Sequence, residues 1–531
     1  MQVSGLEAIE PVLLVLLLIV AALAIVAKRL RIAYPIVMVI GGLGLSLLPR
    51  IPRVSLDPNV VFLVILPPLL FSAAFHTSWR EFRGNIVSIV MLAFGLVGFT
   101  IFGVAAATRF FLPGFDWRLG LVLGSVVAAT DAIAATATAK RLGLPRRITE
   151  LLEAESLVND GSGLVALRFT LAMVVSGTTP SLALGIWTLF YLISTAVLIG
   201  LGVGMLVHWV QKRIVDSPIE ITISLVTPYI AYLLAERMHC SGVLATLACG
   251  IYIGRRSSGF FSLHARIEGS AVWQTLDFIL NGVVFLVLGL QLPAILAGIQ
   301  GFSATNLLIA GTLFSVIVIL LRMLWVFPGA WISARIQRLF NPRSRMALSR
   351  RSVFLVGWAG MRGVLALAAA LSLPERLNNG APFPQRNLII FLTFCAIFST
   401  LVLQGLSMPP LIRRLGLSGV SAGREEEHTA RYEMTVAALQ ALREQDEAGH
   451  YEQLEDYYRR RLALLESGSG AEHLLAAWNA EQVRVTAQKL RNVERSVVLN
   501  LRTENKIHDE VARALEYELD LLDARDAMPH S

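Results

Sequence analysis

Within the apolar stretch 148–175, the run Glu155-Ser156-Leu157-Val158-Asn159-Asp160-Gly161-Ser162-Gly163 sets two carboxylates, an amide and two hydroxyls inside about three helical turns. These groups bind cations and exchange protons. In a membrane helix each central ionised group costs roughly 2.5–3.5 kcal/mol on insertion scales, so a cluster of them needs a reason. At helical spacing Ser156, Asp160 and Gly163 share one face, and Glu155, Asn159 and Ser162 share the adjacent one. One wide polar stripe results, with Gly163 expected to admit another element closely. A lone Asn or Ser would read as an interhelical hydrogen bond. Asn-Asp beside Glu reads as an ion site.

Two further stretches carry the same cost. Ala128-Ala129-Thr130-Asp131-Ala132 places a carboxylate in the middle of the small-residue run 119–138. An Asp there can hydrogen-bond the backbone freed at a local helix break, and an unwound turn also presents carbonyls, such as that of Thr130, to a cation. Gly357-Trp358-Ala359-Gly360-Met361-Arg362-Gly363 combines three glycines with an Arg in the run 352–373, a composition that bends or breaks a membrane helix. Arg362 needs an anionic partner at that depth, and Glu155, Glu153, Asp131, Asp160 and Asp277 are the candidates. Glu155 is favoured as a structural ion pair with Arg362, which leaves Asp160 free for an exchangeable ion.

These residues must be held by helices. Of 531 residues, 55% are hydrophobic and only 16% charged, which excludes a soluble globule and defines an all-α polytopic membrane protein. Thirteen apolar runs fall between 9–27 and 387–408. The two interrupted runs occupy the fifth place in each of two six-helix sets, runs one to six and eight to thirteen. That placement predicts inverted repeats around a midplane site. Net charge is +8, but the basic residues sit in short loops: 22 in the odd-numbered loops against 7 in the even ones. The bias reports orientation rather than nucleic-acid binding, and places the N-terminus outside and the C-terminus in the cytoplasm. Glu7 and Glu10, with no Lys or Arg, precede the first run, so it reads as an uncleaved span rather than a signal peptide. The predicted domains are 1–414, the transmembrane part, and 415–531, a cytoplasmic helical tail. In the tail Ile507, Val511, Leu515, Leu519 and Leu522 repeat at helical spacing; packing or regulation of a dimer is the role expected there.

The remaining features read as structural. Pro67-Pro68 should kink the third run. Gln274, Asp277 and Asn281 share a face, lining a cavity or forming a hydrogen-bond network. Arg168 is given no role, and His76, His208, His239 and His264 sit at span ends. Cys240, Cys249 and Cys395 match neither a metal spacing nor a disulfide framework. No cofactor is implied.

Taken in order, Leu66-Pro67-Pro68, Thr130-Asp131, Glu155-Ser156-x-x-Asn159-Asp160 with Gly163, Ser241-Gly242-Val243-Leu244 and Trp358-x-Gly360-x-Arg362-Gly363 resemble the NhaP/NHE-type sodium/proton antiporters of the monovalent cation:proton antiporter superfamily, over residues 10–412. The resemblance implies a homodimer in the plasma membrane whose protomers carry a dimerisation part and a mobile core with two crossed, interrupted helices. It further implies that Asp160 binds the cation or the proton, that Asp131, Ser156 and the Thr130 carbonyl complete the Na+ site, and that Asn159 orders it. Two departures stand out: Ala132 where many members have Pro, and Ser72 where many have an acid.

The expected function is therefore exchange of Na+ or Li+ for H+, by competition at Asp160. Relatives with Asp-Asp at this place are associated with an extra proton, so Asn159 suggests electroneutral exchange. K+/H+ exchange is the nearest alternative, since ligand types do not separate the alkali cations without distances. A cation-gated channel or sensor is the alternative of another class. An enzyme is disfavoured, there being no nucleotide loop, metal cluster or triad.

Overall fold

A computed structural model describes residues 5–417 apart from 49–56, 113, 177–181, 215, 258–260, 300–301, 341–347 and 379, together with isolated positions further on. The chain divides into two compact units, Met1–Gly419 and Val420–Ser531. The helix expected around 507–522 lies outside the described residues except at Leu519, Leu521 and Leu522.

The first unit is built from helices. In chain order they are α1 (Gly5–Leu30), α2 (Tyr34–Ser46), α3 (Pro58–His76), α4 (Ile86–Phe111), α5 (Trp117–Ala128), α6 (Ile133–Arg141), α7 (Arg146–Ser176), α8 (Leu182–Gln211) and α9 (Ser217–Arg237). After them come α10 (Gly242–Arg256), α11 (Leu263–Leu290), α12 (Ala304–Phe340), α13 (Arg350–Trp358), α14 (Val364–Leu371) and α15 (Arg386–Arg414). No strand occurs among the described residues, only a single bridge between Arg376 and Pro382. Nine helices among those residues are long and apolar enough to cross a membrane. The expected count of thirteen goes beyond these nine, although every one of the thirteen apolar runs coincides with helix.

Local chemistry sets several starts. Asp57, Asp116, Asp216, Ser241, Ser262 and Ser349 each accept a hydrogen bond from a backbone N–H of the first turn that follows. Asp116 thereby opens the first half of the interrupted pair α5/α6, and Ser349 the first half of α13/α14. Pro67 and Pro68 have no N–H to donate, and the helix before them widens into a π-helical turn over Val61–Ile65. Two further such turns follow, Met91–Leu96 within α4 and Thr400–Gln404 within α15, the latter opposite the α13/α14 break.

Burial sorts the helices. In the segment Trp117–Ala139, 89% of the residues in the apolar window are buried, the highest share of the nine, so the interrupted helix runs through the middle of the protein. Leu198, Trp209, Leu308, Leu324 and Trp331 stand exposed on α8 and α12, apolar side chains suited to a non-aqueous surrounding. Arg168 is held at the surface by Glu236 at 2.7 Å.

Candidate functional site

Residues 129–132, between α5 and α6, have left the helical conformation, beginning with Ala129 at φ −61°, ψ 136°. Residues 360–363, between α13 and α14, have done the same. The two breaks meet: the Asp131 N–H donates to the Met361 carbonyl at 2.8 Å. Each break thus satisfies a group the other has freed.

α7 passes beside this crossing and supplies the polar stripe. The Ser156 hydroxyl donates to the Thr130 carbonyl at 2.7 Å and accepts from the Ala132 N–H at 3.3 Å. Asn159 donates through Nδ2 to the Thr130 hydroxyl at 3.1 Å, and that hydroxyl donates onward to Glu155 Oε1 at 3.4 Å. Asp131 caps α6, its Oδ1 accepting from the Ile133 N–H at 2.8 Å. With no Pro at position 132, both the Ala132 and Ile133 N–H groups are present, and these two side chains take them up.

A cavity of about 120 Å3 opens at the crossing. Asp160, Asp131, Ser156 and Thr130 line it, with Asn281 of α11 and apolar residues of α3 and α14. No hydrogen bond or ion pair holds the Asp160 carboxylate among the described residues. Asp131 and Asp160 are close enough for their charges to act on each other. Two carboxylates, a hydroxyl and a backbone carbonyl around water-sized space form the oxygen donor set that suits a hard cation.

The groups behind the cavity differ in burial. Asn159 is 0% exposed and Glu155 1%, so both stand out of contact with the space that Asp160 faces. Asn159 Oδ1 is buried without a hydrogen-bond partner. Four of the five residues expected at the cation therefore share one cavity, and the fifth, Asn159, braces Thr130 from outside it.

The expected pairing of Glu155 with Arg362 is corrected. Glu155 is gripped by Arg322 of α12, Nη1 to Oε1 at 2.5 Å and Nη2 to Oε2 at 2.9 Å. That fork engages both carboxylate oxygens, and no hydrogen bond joins Arg362 to Glu155 among the described residues. Arg322 also donates through Nε to the Gly357 carbonyl at 3.1 Å and through Nη2 to the Val356 carbonyl at 3.0 Å, capping the severed end of α13. Arg362 instead donates through Nη1 to the Gly360 carbonyl at 3.2 Å, and its N–H reaches the Thr400 hydroxyl at 3.0 Å. Its Nε and Nη2 are buried with no hydrogen-bond partner.

Sequence reasoning passed over Arg322, the residue that ties α7, α12 and α13 together. The signal was present, a lone Arg inside the apolar run 306–334, but no glycines or other polar groups flank it.

Glycines set the clearances. A Cβ on Gly360 would fall inside the Arg322 side chain, and one on Gly363 would strike that of Asp131. Gly163, where close approach was expected, would put a Cβ at an ordinary 3.5 Å from Ala129. It is Gly161 that is tight, against Leu244 of the Ser241-Gly242-Val243-Leu244 stretch. Gly363→Ala should displace Asp131 by a few tenths of an ångström or more, and we expect cation-dependent exchange to fall by about a hundredfold with folding retained. Transport by reconstituted protein, alongside its gel-filtration profile, checks this; unchanged transport would show that the crossing tolerates the shift.

A bundle of membrane-spanning helices in which two interrupted helices meet at buried carboxylates is the architecture of a secondary transporter. The chain belongs to the sodium/hydrogen exchanger family: the family model "Sodium/hydrogen exchanger, transmembrane" matches residues 14–414. An uncharacterised Na+/H+ exchanger of Mycobacterium tuberculosis is 35% identical, covering 97% of each chain. A sodium, potassium, lithium and rubidium/H+ antiporter of Bacillus subtilis is 31% identical over 82% of this chain and 65% of its own length. Among solved structures, the sodium proton antiporter MjNhaP1 of Methanocaldococcus jannaschii shares the fold, with a TM-score of 0.60, 18% identity, and coverage of 78% of this chain and all of the other. The protein is an integral membrane protein of a transporter family.

Proposed function

We propose that the protein exchanges Na+ or Li+ for H+ by competition at Asp160. The observation that carries this reading is the unpartnered Asp160 carboxylate in a cavity that also holds Asp131, Ser156 and the Thr130 carbonyl. A carboxylate withdrawn from water is satisfied by a proton or by a cation, and each excludes the other. An empty, charged site is costly to carry through the barrier, so only loaded states cross. That coupling drives exchange without ATP and without a cofactor.

Asn159 cannot titrate, and Asp131 Oδ1 is committed to capping α6 through the Ile133 N–H, which leaves Asp160 as the carboxylate free to exchange. One titrating carboxylate per cavity gives one proton per cation, an electroneutral cycle. In proteoliposomes, an imposed membrane potential should leave the exchange rate unchanged; a clear acceleration or slowing would sink the one-to-one stoichiometry.

Exchange itself is tested by adding Na+, Li+ or K+ to inverted vesicles that hold a pH gradient and following its dissipation. K+ is a second reading with its own support, because the Bacillus relative is described as a sodium, potassium, lithium and rubidium/H+ antiporter. Dissipation by K+ at concentrations similar to Na+ would favour it. The same reading places the protein in the plasma membrane as a homodimer, N-terminus outside and tail in the cytoplasm, as the loop charges indicate.

A further inference from the structure

We infer that Asp277 is a second cation-binding carboxylate, a station on the route between an outlying vestibule and the Asp160 cavity. The inference rests on the antiport reading and adds a residue that the cavity itself does not contain.

Asp277 lies on α11, one helical turn before Asn281, which lines the Asp160 cavity and donates through Nδ2 to the Asp277 carbonyl at 2.8 Å. Its carboxylate faces α3, where the Ser72 hydroxyl donates to Oδ2 at 2.5 Å. The neighbour of Ser72, Ala73, also lines that cavity. Asp277 therefore belongs to the hydrogen-bond network that the sequence offered as one alternative, and its partners Asn281 and the neighbour of Ser72 line the cavity that it does not itself line. Gln274, on the same face, is exposed.

On the other side, Phe278 borders a separate cavity of about 340 Å3 with Lys28, Tyr34 and Thr138. The rings of Tyr34 and Phe278 stand 5.7 Å apart at 57°. Tyr34 is within electrostatic reach of both Asp131 and Asp277. The ring pair thus forms part of the wall of this vestibule, and neither Asp131 nor Asp277 lines it. Lys28 in the vestibule opposes cation entry, and a carboxylate next in sequence to Phe278 offsets it.

The remaining oxygen of Asp277 decides the matter. Oδ1 is buried with no hydrogen-bond partner, a costly state for a carboxylate unless a cation or proton occupies it. His76 does not supply one: its Nδ1 is turned to the Ser72 carbonyl at 2.7 Å. A simple staple between α3 and α11 needs only the Ser72 hydrogen bond, which an amide would accept equally well.

The test uses the full chain in proteoliposomes. Asp277→Asn should raise the KM for Na+ by about tenfold while the maximal rate changes little, and Asp277→Glu should recover most of the loss. If wild-type exchange depends on Asp160 while Asp277→Asn keeps the wild-type KM, Asp277 is a staple and this inference falls, with the antiport reading intact. If neither Na+, Li+ nor K+ drives exchange in the wild type, both fall. Should Asp277→Asn fail to assemble, Asp277→Cys in a protein lacking Cys240, Cys249 and Cys395 gives the answer. A membrane-impermeant cationic thiol reagent should label it, as a position on the cation's route must be reachable from one side; no labelling from either side overturns the proposal.

Discussion

Asp160→Asn is expected to reduce cation-driven dissipation of a pH gradient to the background of protein-free vesicles, with folding intact. Asparagine keeps the shape of the side chain and removes both the charge and the exchangeable proton, so one substitution eliminates both ligands of the cycle. The fold should tolerate it. Among the described residues no group depends on the Asp160 carboxylate for a hydrogen bond, and the side chain borders a cavity rather than a packed interior. Removing a charge near Asp131 also relieves a like-charge interaction. A second readout is independent of transport. Saturating Na+ should raise the melting temperature of the detergent-solubilised wild type, since a ligand at about a hundred times its Kd stabilises by about 2.7 kcal/mol, and should leave the variant unmoved. Exchange retained by the variant at more than about a tenth of the wild-type rate would remove Asp160 from the mechanism.

Much of this arrangement was legible in the residues because a membrane makes polar groups conspicuous. Each apolar run became a helix, since backbone groups out of reach of water have few other ways to be satisfied. Both breaks fell where Thr130-Asp131 and the Gly360–Gly363 stretch indicated, and Ser156, Asp160, Asp131 and Thr130 came to one cavity. What could not be read was which costly groups meet. Arg362 had five candidate carboxylates, Glu155, Glu153, Asp131, Asp160 and Asp277, and which cation Glu155 meets depends on how α12 packs against α7, a long-range contact with no local trace. Arg362 drew the assignment because glycines surround it. Arg322, in a featureless apolar run, carries the pair. In the same way Gly163 looked like the close-approach glycine, whereas its helical neighbour Gly161 faces α10. At about 100° per residue the two glycines lie on nearly opposite faces of α7, so the polar stripe that contains Gly163 carries no sign of the contact at Gly161.

Removing Arg322 should be the most damaging single change to the fold. The side chain is 2% exposed and Glu155 1%, so Arg322→Ala leaves a buried carboxylate without its counter-charge and frees the Val356 and Gly357 carbonyls at the end of α13. Breaking a buried pair from one side costs about 3–5 kcal/mol, comparable to the whole stability of many domains. We expect little monodisperse protein after detergent extraction, and no Na+-dependent exchange. Arg362 makes no hydrogen bond to Glu155 among the described residues, and its Nη1 is engaged by the Gly360 carbonyl at the break. Lysine is also a poor substitute: Arg322→Lys keeps the charge but cannot span both carboxylate oxygens and both backbone carbonyls at once. The double substitution Glu155→Gln/Arg322→Gln separates a structural pair from a transport site. It removes both charges together and leaves amides able to hydrogen-bond, so it should be more stable than Arg322→Ala and retain part of the exchange activity, with a coupling energy of a few kcal/mol in a double-mutant cycle of thermal unfolding. Exchange lost completely in a well-folded double variant would instead mean that Glu155 takes part in binding the cation, and that the division between a wet site around Asp160 and a dry support behind it is drawn one residue too narrowly.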